Sequence, residues 1–135
     1  MIQRKHKILH NALTLAIASV WVANGLWAKI LGNVPRHEAI VGRVLGEEFA
    51  PWLIIFIGVG ELVIAAWVLS RFRTRICAAV QIALVLTMNV IEFDFARDLL
   101  LFGGLNFVFA LGFAMLLGYY AWLTPPEAPK NRGPA

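Results

Sequence analysis

The chain has 135 residues, 60% of them hydrophobic and only 15% charged, with a mean hydropathy of +0.74. A soluble domain is about 45–50% apolar, so the excess makes lipid the solvent and excludes an ordinary water-soluble globule. The net charge of +4 does not mark a nucleic-acid binder: the basic residues gather in RKHK, RFRTR and KNR beside apolar runs, with no basic face of interleaved aromatics.

Four segments approach the roughly 20 mostly apolar residues that cross a bilayer as a helix. The first runs from Leu9 to Leu31 behind the basic start QRKHK. No small-x-small cleavage site follows and the apolar run continues past Asn24, so it reads as an uncleaved span rather than a signal peptide. The connection from Gly32 to Ala50 is the longest, and its RHEAIVGRVLGEEF stretch has the pattern of a short amphipathic helix on the membrane surface. Pro51 to Leu69 forms the second span, with Glu61 near its centre. Ile76 to Ile91 forms the third, just after RFRTR. Cys77, the sole cysteine, has no intrachain partner and reads as a small apolar residue near a helix start. The fourth span covers Leu99 to Leu123: FGGLN opens it with a bent turn, and Ala110, Ala114 and Gly118 give it a small-residue packing stripe. The tail, 124–135, is TPPEAPKNRGPA, a proline-rich polar segment expected to be disordered. The fold class is all-α, a polytopic membrane four-helix bundle.

Four spans put both termini on one side. That side carries Arg4, Lys5, Lys7, Arg71, Arg73, Arg75, Lys130 and Arg132, against Lys29, Arg36, Arg43 and Arg97 on the other. The positive-inside rule therefore places both termini in the cytoplasm. Trp67, Tyr119, Tyr120 and Trp122 fall near that interface, and Trp27 and Trp52 near the opposite one, as an aromatic belt requires. Trp21 lies deeper, where it is expected between helices.

Depth counted at about 1.5 Å per residue puts Glu61, Asn24, Asn89 and Asn106 in one layer, from the midplane to the outer interface. Lys29 and Glu92 lie a turn or more further out. Intramembrane ionisable groups face a bundle interior or a wet cavity and pair with something. These six residues are the candidate lining of an outward-opening pocket, with Lys29 and Glu92 at its mouth. Gly58 and Gly60 leave room beside the carboxylate. Two other accounts stand beside this one. Asparagines commonly join membrane helices by hydrogen bonds alone, and Glu61 is either held by Lys29 in a structural pair or kept protonated by desolvation.

His6, His10 and His37 form no pair at ligand spacing on one helix face, so no haem or metal site is expected. GxGxxG, P-loop and GxSxG motifs are absent, and no catalytic signature identifies an enzyme. The cofactor stays unknown from these residues; quinone is one candidate, since its carbonyls need donors such as a protonated Glu or an Asn amide.

The segments WVANGLWAKILG (Trp21 to Gly32), RHEAIVGRVLG, GVGELVIAAWVLS, MNVIEF and DLLLFGGLN resemble the DoxX-like family of small bacterial membrane proteins, over about Leu13 to Leu123. The resemblance implies a four-helix integral protein of the bacterial inner membrane. Members of the wider family are associated with quinone-linked sulfur oxidation and with oxidative-stress complexes. The resemblance supplies no catalytic residues to carry over. The expected function is a quinone-, lipid- or small-molecule-binding subunit of a membrane redox or stress-response complex. A redox-protein partner or a homo-oligomer would accompany it. The alternatives are a non-enzymatic scaffold or chaperone, and a small-solute or proton transporter; nucleic acid is not an expected partner.

Overall fold

The computed structural model describes residues 2–100 and 102–124, and the described residues are helical throughout, without strands. Helix α1 spans Ile2–Val22 and passes without a break into a π-helical stretch, Ala23–Ile30. A short helix, α2, follows at Pro35–Leu45, then α3 (Ala50–Ser70) and α4 (Thr74–Phe95). A single 3-10 turn (Arg97–Leu99) leads to α5 (Leu105–Gly118), which ends in a second π-helical turn, Tyr119–Leu123. Four of these rods are long and apolar enough to cross a membrane: Ile2–Ile30, Ala50–Ser70, Thr74–Phe95 and Leu105–Leu123.

The ends of the rods follow from local chemistry. Pro35 and Pro51 sit in the first turns of α2 and α3, where a missing N–H is harmless and the fixed φ suits a helix. Gly46 ends α2 at φ 111°, a conformation that L side chains rarely adopt. The α3–α4 turn is tight, with Arg71 and Arg73 both left-handed at φ 56° and 48°. Trp67 holds that turn by donating its indole N–H to the Phe72 carbonyl at 2.7 Å, while the Phe72 N–H donates to Ser70 Oγ at 3.2 Å.

The bounds differ from the sequence expectation in two informative places. The first rod begins at Ile2, so RKHK is wound into the helix as its polar end. The last begins at Leu105 rather than Leu99, because residues 97–99 form the 3-10 turn and Phe102–Gly104 a further turn. Gly103 adopts φ 56° there. Of the tail expected to be disordered, residues 125–135 lie outside the described residues.

The helices bury a mixed core of small and large residues and leave many large apolar side chains outside. The core joins Ile17, Ala18 and Trp21 of α1 to Ala65 and Val68 of α3, Cys77 and Ala78 of α4, and Leu117, Tyr120 and Ala121 of the last rod. Trp52, Phe56 and Met115 point outward, at 79%, 76% and 76% exposure. Large apolar side chains on the outside of every rod are tolerable only in lipid. This is a multi-pass membrane bundle.

Two buried polar links cross the core. Trp21 Nε1 donates to Gln81 Oε1 at 2.7 Å. Near the opposite end from α2, the Thr14 hydroxyl donates to the His10 carbonyl at 2.8 Å and meets the Tyr120 hydroxyl at 2.7 Å, with the His10 and Tyr120 rings stacked at 4.4 Å. Each link satisfies polar groups that hydrocarbon would otherwise leave without partners.

Candidate functional site

Glu61 lies in the middle of α3 and is buried, at 6% exposure. It faces Lys29 of the π-helical stretch. Lys29 Nζ stands 2.9 Å from Oε1 and donates to Oε2 at 3.0 Å, so one ammonium spans both carboxylate oxygens. The Lys29 side chain is only 9% exposed. It therefore closes on Glu61 inside the bundle and does not stand at a pocket mouth.

The approach of these two helices depends on two glycines. A Cβ on Gly25 would lie 2.7 Å from the Gly58 carbonyl oxygen, and one on Gly58 would lie 2.8 Å from the Gly25 carbonyl oxygen. The backbones of the first rod and α3 touch through this pair, which sets the Lys29 stem against α3. Gly58 is thus a helix-contact residue and frees no space for a ligand. A Cβ on Gly60 would meet nothing within 4 Å, so α3 is open on that side.

The π winding matters as much as the glycines. Asn24 and Lys29 are five residues apart. On an α-helix such a pair diverges by about 140° around the axis. In π winding the hydrogen bonds span five residues, as Leu31 N–H to Leu26 O does at 2.9 Å, and residues five apart stack on one face. Asn24 and Lys29 accordingly line the same cavity.

That cavity has a volume of about 250 Å³ and lies at the α2 end of the bundle, partly open to the outside. The first rod provides Val20, Trp21, Asn24 and Lys29; α3 provides Ile57 and Glu61; α4 provides Val85, Met88, Asn89 and Glu92. The last rod provides Phe113, and α2 covers the end with His37, Ile40 and Val41. Asn24 and Asn89 each donate an amide N–H to a carbonyl of their own helix, at Val20 (2.9 Å) and Val85 (2.8 Å). Among the described residues, no three His, Cys, Asp or Glu side chains come together as a metal ion would need.

Five of the six residues singled out in the sequence line this cavity: Asn24, Lys29, Glu61, Asn89 and Glu92. Asn106 does not. Its assigned depth assumed a fourth rod starting at Leu99. With the rod starting at Leu105, Asn106 falls in the first turn, about 10 Å along the axis from Phe113, which faces the cavity instead. The lid formed by α2 was missed as a cavity wall, although its spacing signals one. His37, Ile40 and Val41 stand at i, i+3 and i+4, the face of an amphipathic helix. His37 is half-buried, and its pKa is lowered to about 4 by burial and then by the charges of Lys29 and Arg36. It is neutral at physiological pH. On the outer face of α2, Arg43 clasps Asp98 with two hydrogen bonds, at 2.7 and 3.2 Å, tying the lid to the α4–α5 connection.

A family model described as the DoxX-like family matches residues 18–118, from α1 to the end of α5. The chain belongs to the DoxX-like family. The matched region holds every residue lining the cavity of this DoxX-like bundle, together with the lid helix. No curated protein and no solved structure matches the chain.

Proposed function

We propose that this DoxX-like protein is an integral membrane binding protein whose cavity beneath α2 takes a small molecule with a polar head and an apolar body. It would act as a subunit of a membrane redox or stress-response complex in the bacterial inner membrane. Both termini would be cytoplasmic and the lid would lie on the opposite face. Membrane quinones and lipids belong to this ligand class. The observation that carries the reading is the cavity itself: about 250 Å³, walled mainly by apolar side chains, with convergent polar groups from three helices and a separate short helix over its end. Sites of this composition are the usual form of small-molecule pockets.

A filling variant tests it. Val85→Trp should occlude the cavity from the α4 wall and abolish binding of a water-soluble short-chain benzoquinone, and of other small ligands, by purified protein in maltoside micelles. Wild type that takes up no small molecule in such a screen would leave the reading without support.

A second reading, a scaffold without a ligand, is favoured by one feature. The Lys29–Glu61 pair and the Gly25–Gly58 contact account for the buried carboxylate by helix packing alone. The scaffold reading predicts that Val85→Trp leaves partner association in mild detergent unchanged and that no ligand is found.

A further inference from the structure

The charges around the cavity do not balance. Lys29 and Glu61 cancel each other in a two-oxygen contact. Glu92 lines the same cavity and, among the described residues, has no ion-pair partner. His37 offers no compensating charge, because its surroundings keep it neutral at physiological pH. The two asparagines each commit one of their two amide N–H groups to their own helix, which leaves one N–H and the amide oxygen of each for a ligand. Among the side chains that line the cavity, Glu92 is therefore a carboxylate with no cation in contact with it, the Arg36 guanidinium of α2 standing outside the lining.

The apolar side of the cavity is aromatic. Trp21 and Phe113 meet edge to face at 6.4 Å between ring centroids, and both line the space. Indole and phenyl faces attract alkylammonium groups through the ring quadrupole, most strongly when water is excluded. The volume decides against a bare ion. At about 250 Å³ the cavity is far larger than an inorganic cation fills.

Resting on the cavity being a ligand site, we propose that its ligand is a small organic cation, a primary or quaternary ammonium on a compact apolar body. Glu92 is its counter-charge and Trp21 with Phe113 forms its apolar wall. The ammonium comes either from a free amine or from the ethanolamine or choline head of a lipid.

Calorimetric titration of the full chain in maltoside micelles tests this with benzyltrimethylammonium, its uncharged carbon isostere neopentylbenzene, and a short-chain benzoquinone. Wild type should bind the cation at least tenfold more tightly than the isostere, a comparison that needs no variant. Glu92→Gln, checked for folding by circular dichroism, should remove that preference and leave the isostere unaffected. Competition by short-chain phosphatidylethanolamine but not phosphatidylglycerol assigns the ammonium to a lipid head; competition by neither assigns it to a free amine. Binding of the quinone or the isostere without preference for the cation overturns the proposal and leaves the cavity as a ligand site. A preference that persists undiminished in folded Glu92→Gln overturns Glu92 as counter-charge. Binding of none of the three probes removes both the proposal and the ligand-site reading.

Discussion

Glu61 and Lys29 are each a liability alone and tolerable only together. Removing one partner of a buried ion pair leaves an uncompensated charge and typically costs about 3–5 kcal/mol, whereas replacing both by apolar groups is often neutral. Glu61→Gln should therefore lower unfolding stability by about 3 kcal/mol. The double variant Lys29→Met/Glu61→Leu should recover most of it, as read from denaturation in mixed micelles. Equal losses in the single and double variants would show that the contact at 2.9 Å does not couple the two residues. A second orphan arises on the other polar link. Gln81→Leu strands the Trp21 indole N–H and should cost about 1–3 kcal/mol by the same assay. The sequence made the need for a Glu61 partner legible, since a lone carboxylate in an apolar rod demands one. It left both Lys29 and neutralisation open, because the choice depends on how closely two backbones approach, and glycine positions alone do not report that distance.

At the level of helices, the close approach is the testable element. Gly25→Ala and Gly58→Ala each set a methyl group less than 3 Å from the facing backbone carbonyl. Overpacking of this kind costs about 1–3 kcal/mol, and both variants should separate the first rod from α3 and loosen the Lys29–Glu61 contact. Gly60→Ala, with open space at its Cβ, should be neutral or gain up to about 1 kcal/mol from helix propensity. Equal effects at Gly58 and Gly60 in thermal denaturation would contradict the contact. The lid has its own handle. Folding lowers the His37 pKa from 6.5 to about 4, so the folded state favours the neutral ring. The stability this provides is complete above pH 6.5 and is lost as pH falls through the window toward 4. The melting temperature should fall across that window in wild type and fall less in His37→Gln. Asp98, which the Arg43 hydrogen bonds hold below its ordinary 3.8, titrates beneath it. The α2 helix was legible as an amphipathic segment, but its docking over a cavity was not, since periodicity shows that a face is apolar and not what it covers.

For the whole molecule, composition alone was enough to establish the class: the apolar excess, four long rods and the outward-facing Trp52, Phe56 and Met115 are one fact seen three ways. The shared depth of Asn24, Glu61 and Asn89 was legible because helical rise converts position into height. Asn106 was misplaced by that same conversion, because its rod starts six residues later than the hydropathy suggested. Sidedness is testable through the single cysteine. Cys77 is buried at 3% exposure and should resist impermeant maleimide in intact cells. In a Cys77→Ala background, cysteines introduced at Glu38 in the lid and at Gln3 near the amino terminus should differ. The first should label from outside intact cells, and the second only after the membrane is opened. The reverse pattern would invert the proposed orientation.

The winding of Ala23–Ile30 imposes a constraint of an unusual kind on this chain. Leu26 and Trp27 lie on the outside of that stretch, at 39% and 56% exposure, where many apolar side chains serve equally well. Deleting either one would bring Asn24 and Lys29 to i and i+4, a spacing that ordinary α winding also sets on one face, so losing the residue and losing the π winding compensate and Lys29 still faces its carboxylate. Here residue number and winding are tied together while residue identity is free, so related chains should either substitute at these two positions or drop one residue together with the π winding.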